Sequence, residues 1–207
     1  MREKFLKANL ILMSILIIIS LAIIVEVTQN NTAADSAGFA GIVAGNVYSE
    51  NLITNPDFSD ASGWSFWANG SATFDMTESG PGFANAADIH ILDDGSATGN
   101  NIQLYQQGIM LEPNSRYIIS FMAKSNSENK MSVYVHKHGL PYTNYGLDWS
   151  DIELTSDWQS FSKEFTTEDF FDTIFDARLK FWFAPYATPG EIYYITNVSL
   201  VKMISYP

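Results

Sequence analysis

The sequence predicts a mostly β fold, a sandwich or barrel, preceded by an N-terminal hydrophobic helix. Two observations support this expectation. After residue 50, helical periodicity is nearly absent, and short runs of alternating apolar and polar residues recur between Gly, Pro, Asn and Asp. Before it, an uncharged apolar stretch follows a basic start. Several short strands separated by turn signals are typical of an all-β sandwich or barrel.

The N-terminal segment has the pattern of an export signal. Arg2, Lys4 and Lys7 precede an apolar run at 10–25. No further Lys or Arg occurs before Arg116, and because positive charge stays inside, we expect the C-terminal bulk to lie outside the cell. The run is slightly long for a signal core of about 7–15 residues and short for a span of about 20. Cleavage and retention as a membrane anchor therefore both stay open.

Composition divides the chain into three parts. Residues 1–27 are the signal peptide or membrane anchor, residues 28–49 a flexible linker rich in Asn, Ala, Gly, Ser and Thr, and residues 50–207 one β domain. There is no cysteine, so an exported domain has no disulfide to stabilise it. The net charge of −12 argues against nucleic acid and anionic membrane surfaces as partners, and permits neutral ligands and cations.

Alternation separates the side chains of each predicted strand into two faces. One set is apolar and is expected in the core. The other set carries aromatic, amide and cationic groups: Gln103, Tyr105, Tyr134, His136, His138, Arg178, Lys180 and Trp182. Such a face suits a sugar-binding groove, because pyranose C–H patches stack on aromatic rings and hydroxyls pair with amides and charged groups. The alternative is that these aromatic residues are ordinary strand formers.

Five segments, in order, carry a resemblance to a known family: NLITNPDFSDASGW at 51–64, NIQLYQQGIMLEPNSRYIISFMAKS at 101–125, PYTNYG at 141–146, LTSDWQSFSKEFT at 154–166 and IYYITNVSLV at 192–201. They resemble carbohydrate-binding modules of the family 4/9 type, a group with a galactose-binding-domain-like jelly roll. The resemblance spans about residues 50–202. It implies a β-sandwich jelly roll whose concave face binds poly- or oligosaccharides.

The resemblance also assigns site residues. It implies that the strand at 101–105 supplies Asn101, Gln103 and Tyr105, and that the hairpin at 131–146 supplies Tyr142 and Tyr145. Many members place a stacking Trp just before the Gln-rich strand, where Asn100 and Asn101 stand here. The predicted carbohydrate-binding set, from the two faces and the resemblance together, is Asn101, Gln103, Tyr105, Tyr134, His136, His138, Tyr142, Tyr145, Arg178 and Trp182.

A structural calcium ion is a further implication of the resemblance. Its oxygen ligands would be Asp57, Asp60 and Asn197, with backbone carbonyl groups. The carboxylate count is reduced relative to the family pattern, because Ser59 stands where the opening turn has Glu and Thr196-Asn197 where the last strand has Asp-Asp. Calcium therefore stays open.

No catalytic constellation stands out. The lack of cysteine excludes thiol nucleophiles and thiolate metal sites. His136 and His138 share a strand face and, with Asp148 or Asp151, have a spacing that can bind a metal, although sugar binding or plain exposure explains the pair more simply. No two carboxylates fall on the groove face, as glycoside hydrolysis requires.

We therefore expect a non-catalytic carbohydrate-binding domain, secreted or anchored to the cell surface by the N-terminal segment. The alternative is a structural or adhesive surface protein that keeps the fold without sugar affinity. An enzyme on the same fold is a third reading. Each would act outside the cell.

Overall fold

The structure, a computed structural model, describes residues 47–69, 72–76, 85–93 and 102–204. Within these ranges the regular structure is entirely strand, and no helix is long and apolar enough to cross a membrane. The predicted signal or anchor at 1–27, the linker up to residue 46 and Asn101 lie outside the described residues. The described strands are β1 (Val47–Tyr48), β2 (Ser65–Ala68), β3 (Ala72–Asp75), β4 (Ala87–Ile91), β5 (Ile102–Leu111), β6 (Arg116–Ser125), β7 (Lys130–Lys137), β8 (Asn144–Glu153), β9 (Gln159–Thr166), β10 (Ile174–Trp182) and β11 (Ile192–Ile204).

These strands form two antiparallel sheets. The front sheet has the order β2-β5-β10-β7-β8, and the back sheet has the order β3-β4-β11-β6-β9 with β1 added on β11. Sequence neighbours such as β7 and β8 pair directly, while β5 pairs with β2 and β10 across long connections. The expected all-β sandwich is confirmed in this part of the chain.

One hydrophobic core lies between the sheets. Phe121 of the back sheet meets Phe181 of the front sheet edge to face, with ring centroids 5.2 Å apart. Tyr117 and Phe165 stack within the back sheet, and both are buried. Because the apolar side chains of each strand alternate toward this layer, the opposite face of the front sheet is left to polar and aromatic groups.

The opening segment is fastened to the sandwich by side-chain hydrogen bonds. Gln106 Nε2 donates to the Thr54 carbonyl at 2.9 Å, and its Oε1 accepts the Thr54 amide at 2.8 Å. Trp64 Nε1 donates to the Asn55 carbonyl at 2.9 Å. Asn51 fastens the segment to β11: its Nδ2 donates to the Val198 carbonyl, and its Oδ1 accepts from the Leu200 amide. The motif residues that carry the family resemblance at this end are therefore structural.

Two connections border the front sheet. The segment at 167–173 is irregular, and β10 begins at Ile174. The expected hairpin at 131–146 consists of β7 and the first residues of β8.

Candidate functional site

An open groove lies on the outward face of the front sheet. Its cavity volume is about 590 Å³. All strands of the front sheet contribute side chains, because the residues that point away from the core on each strand line up across the sheet. The lining residues are Trp67, Gln103, Tyr105, Tyr134, His136, Tyr142, Asn144, Asp148, Arg178 and Lys180.

Strand register places these residues in rows across β10. In the central row, Lys180 lies between Tyr105 on β5 and Tyr134 on β7. Tyr134 in turn lies opposite Asp148 on β8. Arg178, one step further along β10, lies opposite His136. The centre of the groove is therefore cationic and is flanked by aromatic rings.

Arg178 is fixed by two ring contacts. Its guanidinium lies 4.8 Å from the Tyr105 ring centroid, and its Nε and Nη2 lie 3.3 and 3.2 Å from His136 Nε2. His136 Nδ1 is 2.7 Å from the Lys137 carbonyl, which accepts only from a protonated Nδ1. Nε2 is then the unprotonated acceptor for Arg178. Burial lowers the pKa of Arg178.

His136 is neutral near pH 7. The pKa of His136 is lowered to about 4, mainly by burial. The hydrogen bond to Lys137 opposes the shift, and the nearby cations Arg178 and Lys180 add to it. Because both ring nitrogens are already engaged, His136 does not offer a free metal-ligating nitrogen. The described residues contain no cluster of three or more His, Cys, Asp or Glu side chains that could hold a metal ion.

Lys180 lies over two rings. Its Nζ is 5.0 Å from the Tyr134 centroid and 4.8 Å from the Trp182 centroid, and these two rings meet edge to face. Burial, followed by the charge of Arg178, lowers the pKa of Lys180 to about 8. The ammonium group is thus held in place by cation–π contacts.

Two aromatic side chains of the groove lining are more than half exposed. Trp67 on β2 is 57% exposed, and Tyr142, between β7 and β8, is 52% exposed. Both line the groove, and Tyr142 stands edge to face with His136 at 6.1 Å between centroids. Exposed flat rings at a groove wall are surfaces on which a sugar ring can stack.

Six of the predicted residues line the groove: Gln103, Tyr105, Tyr134, His136, Tyr142 and Arg178. Trp182 and His138 lie beside it, Trp182 against Tyr134 and His138 against Tyr105 at 6.0 Å. Whether these residues bind sugar stays a prediction.

Tyr145 lies elsewhere. Its ring is 4% exposed and packs on Phe170, and its hydroxyl donates to Asp176 Oδ1 at 3.0 Å. On β8 the odd-numbered Tyr145 and Leu147 face the core, while Asn144 and Asp148 face the groove. A stacking role for Tyr145 does not fit this position, because the alternation of its strand turns it inward.

Sequence reasoning missed four lining residues as binding candidates, namely Trp67, Asn144, Asp148 and Lys180. Lys180 was on the selected face but not in the predicted set. Alternation could have identified Trp67. Trp64 and Phe66 face inward, so Trp67 is expected on the outward face of β2. Asn144 and Asp148 follow from the same rule on β8.

The proposed calcium ligands are engaged in local hydrogen bonds. Asp60 Oδ1 accepts the Ser62 amide at 2.6 Å, and Asp57 Oδ1 accepts the Ser59 amide at 3.3 Å. The Asn197 amide lies 3.8 Å from Met122 Sδ. These contacts close local turns, and neither carboxylate belongs to a group of three or more His, Cys, Asp or Glu side chains within the described residues. The residues present fit a calcium ion poorly, and calcium stays a prediction.

A family model described as Carbohydrate binding domain, of the 4/9 type, matches residues 50–188. Among curated proteins no significant sequence match is found.

Solved structures share the fold. The N-terminal cellulose-binding domain of Cellulomonas fimi β-1,4-glucanase C is 19% identical, with a TM-score of 0.57, over 74% of this chain and 98% of that domain. A structure described as CBM4 structure and function is 17% identical, with a TM-score of 0.53, over 70% and 98%. Family 16 Carbohydrate Binding Module-2 is 21% identical, with a TM-score of 0.51, over 72% and 99%. With the family model covering most of the folded domain, the chain belongs to the carbohydrate binding domain family of the 4/9 type.

Proposed function

We propose that the domain binds a poly- or oligosaccharide in the groove of the front sheet without cleaving it. The observation that carries the proposal is the combination, in one open groove, of exposed Trp67 and Tyr142 with hydrogen-bonding groups between them. Sugar recognition needs both, because the ring faces of a pyranose are apolar and its edges carry hydroxyls. The sandwich would be of the jelly-roll type.

The hydrogen-bonding groups are arranged for hydroxyls. The Gln103 and Asn144 amides lie at the groove with Arg178 between their strands. Amides donate and accept, as a sugar hydroxyl does, and the guanidinium adds charge-assisted donors. His136 acts by holding Arg178, since its own nitrogens are engaged.

Hydrolysis is not favoured by the lining. Among the described residues, Asp148 is the one carboxylate that lines the groove, and glycoside hydrolysis uses two on either side of the bond. The family is a binding domain, which agrees with a non-catalytic role.

We place this binding activity outside the cell. The support is the basic start and apolar run of residues 1–27. On this proposal the segment either releases the domain or holds it at the membrane through the linker at 28–49. Cells that express the full chain can be fractionated, and mass spectrometry of the N-terminus then distinguishes the released domain from the membrane-held one. Recovery of the protein in the cytosol would contradict export.

The test of binding is affinity electrophoresis of the full chain in gels that contain soluble β-glucan, xylan, mannan or pectin, followed by a glycan array. We expect retention by at least one glycan and loss of that retention in the double variant Trp67→Ala with Tyr142→Ala. Phe171→Ala is the matched control, because Phe171 is 94% exposed and does not line the groove.

The outcomes separate the readings. Retention without release of reducing sugar supports the proposal. Retention by no glycan favours the structural or adhesive alternative, and release of reducing sugar would show an enzyme. Retention unchanged in the double variant would place the site elsewhere.

A further inference from the structure

The groove differs in charge from the rest of the protein. The chain carries a net charge of −12. The groove floor nevertheless presents Arg178 and Lys180, two residues apart on β10 and on the same face. Their Cα atoms are about 6–7 Å apart, by the rise of a strand. Two cations side by side repel each other, so this pair needs an explanation.

Neither cation is neutralised within the described residues. The ion pairs there involve Arg116, Lys130, Lys137 and Lys202, and none involves Arg178 or Lys180. The neighbours of the two groove cations are rings, and His136 is neutral. A partly buried charge held by neutral groups is costly to keep, and a bound anion would offset that cost.

Part of the Arg178 guanidinium is left for a ligand. Nε and one Nη2 hydrogen point at His136 Nε2. The described residues give Nη1 and the second Nη2 hydrogen no hydrogen bond, and together they form the end of the guanidinium fork. Arg178 is only 9% exposed, but it lines the groove. That end matches the two oxygens of a carboxylate.

Asp148 is the opposing charge in the groove, and it lies to one side. It is opposite Tyr134 on β8, the edge strand, and its Oδ1 accepts a hydrogen bond from Ser150 at 3.0 Å. It is not within ion-pair distance of Lys180 in the described structure. The centre of the groove therefore keeps its positive character.

We propose that the groove selects an acidic glycan, with a uronate carboxylate held between the free end of the Arg178 guanidinium and the Lys180 ammonium. The neighbouring rings of Tyr105 and Tyr134 would stack on the sugar that bears it. This inference rests on the proposed function, because it names the substrate class of the same groove. The lowered pKa of Lys180 agrees with it, because burial and then the charge of Arg178 disfavour the ammonium form, and a bound carboxylate would oppose both effects.

The test uses pairs of sugars that differ only in the group at C6. Binding of the full chain is measured by isothermal titration calorimetry with β-1,4-glucan, β-1,4-mannan and α-1,4-galactan hexamers, each as the neutral sugar and as the uronate oxidised at C6. We expect at least one uronate to bind about tenfold or more tightly than its neutral counterpart, the scale of a charge-assisted contact in a partly buried site. Raising the salt concentration to 0.5 M should reduce that preference, because screening weakens ionic contacts.

Lys180→Gln should remove most of the preference. Lys124→Gln is the matched control: Lys124 also lies over a Trp and a Tyr, at 5.2 Å from Trp158 and 4.4 Å from Tyr194, but it belongs to β6 of the back sheet. Arg178→Lys is a second variant, which keeps the charge and loses the fork. Thermal melting of each variant shows whether it is folded.

Failure of the inference can be told apart from failure of the proposed function. Neutral and uronate hexamers bound equally, or the neutral forms bound more tightly, would overturn the acidic-glycan inference and leave sugar binding intact. Binding of no hexamer, with no glycan retained in the electrophoresis, would overturn both. A preference that survives both Lys180→Gln and Arg178→Lys would overturn the assignment to a carboxylate between these residues.

Discussion

Trp67 lies directly opposite Gln103 across the antiparallel pair of β2 and β5. The family resemblance places a stacking Trp just before the Gln-rich strand, where Asn100 and Asn101 stand in this chain. Trp67 reaches the same strand from its neighbour and lines the groove beside Gln103. Trp67 thus places an exposed ring beside Gln103 from the neighbouring strand β2, close to where the resemblance expects a stacking Trp.

The first prediction concerns this ring. Trp67→Ala should weaken binding of a retained glycan about 2- to 10-fold, because loss of one stacking contact is worth roughly 0.5–1.5 kcal/mol. Since Trp67 is more than half exposed, the fold should keep its melting temperature. Titration calorimetry on Trp67→Ala and Trp67→Phe gives the measurement. Equal loss in both variants would argue against stacking, because Phe retains a ring face.

Strands with unbroken alternation could be predicted from the sequence, and others could not. Tyr117, Ile119 and Phe121 alternate cleanly and lie in β6 with their side chains in the core. For β8, the sequence predicted only the first residues, as part of the hairpin at 131–146. Its inward Tyr145, Leu147 and Trp149 alternate, but the backbone has a positive φ of 56° at Asp151, and the pairing with β7 shifts register. Backbone irregularity of this kind is set by tertiary packing, and it hides the period.

The site was predictable to the extent that it follows from strand faces. Gln103, Tyr105 and Tyr134 were found by alternation, and they line the groove. The contact between Arg178 and His136 was not found, because it needs the order of β10 beside β7, which the sequence does not reveal. Tyr145 was assigned to the groove from the family pattern. The alternation of its own strand, which turns its side chain towards the core, was not used.

The second prediction concerns acid stability through His136. Its pKa is about 4 in the folded protein and about 6.5 in an unfolded chain. Below pH 6.5 the unfolded state thus binds more protons, so His136 contributes stability above pH 6.5 that is lost as the pH falls towards 4. Arg178, Lys180, His138 and Tyr142 face the ring, and the cations among them oppose its protonation.

Thermal melting measured from pH 7 to pH 4 checks this. The melting temperature of the parent should fall more steeply than that of His136→Gln, in which this group cannot titrate. Each 1 kcal/mol corresponds to about 2–4 °C in a domain of this size. The carboxylates contribute equally to both proteins and cancel in the difference. Parallel curves for the two proteins would contradict the prediction.

The third prediction concerns alkaline release of an acidic glycan. Burial lowers the pKa of Lys180 to about 8, so the ammonium loses its proton, and its attraction for an anion, as the pH rises through that value. A bound carboxylate favours the charged form and moves the midpoint upward. The charged, titratable or aromatic groups around it are Arg178, Tyr105, Tyr134, Trp182 and Asp148.

Affinity for a uronate hexamer should therefore fall between pH 7 and pH 9, while affinity for a neutral hexamer stays level. Titration calorimetry over this range provides the measurement, and Lys180→Gln should give a flat profile. A uronate affinity independent of pH in the parent would show that Lys180 does not contact the anion.

The fourth prediction concerns Glu191, a carboxylate that is 2% exposed at the start of the last strand. Its Oε1 accepts hydrogen bonds from the Ser125 and Ser127 hydroxyls at 2.9 and 2.7 Å, and its Oε2 accepts from Asn129 Nδ2 at 3.0 Å and the Thr188 amide at 3.2 Å. This network ties the turn between β6 and β7 to the loop before β11.

Glu191→Ala should destabilise the domain by about 3 kcal/mol, because it leaves several buried donors without an acceptor at about 1–3 kcal/mol each before relaxation. Glu191→Gln should cost less, since the serine hydroxyls can turn to accept from the new amide. Urea unfolding gives both values. Glu153→Ala is the control, because that side chain is 81% exposed and its ion pair with Lys130 is worth about 0–1 kcal/mol. Equal effects of Glu191→Ala and Glu153→Ala would refute a structural role for the network.

The fifth prediction compares two glycines with positive φ. Gly146 on β8 has φ of 109°, and a Cβ there would meet the Thr166 carbonyl oxygen at 2.1 Å. Gly108 on β5 has φ of 76°, but a Cβ there would meet nothing within 4 Å.

Both alanine variants carry the conformational cost of a positive φ, on the order of 1–2 kcal/mol. Gly146→Ala adds a collision with backbone that cannot rotate away, so it should separate β8 from β9 and destabilise the domain by several kcal/mol. Urea unfolding of the pair measures the difference. Equal destabilisation by Gly146→Ala and Gly108→Ala would show that β8 and β9 do not pack as closely as this contact requires. The packing of β9 against β8 would then not fix the position of Asn144 and Asp148 at the groove.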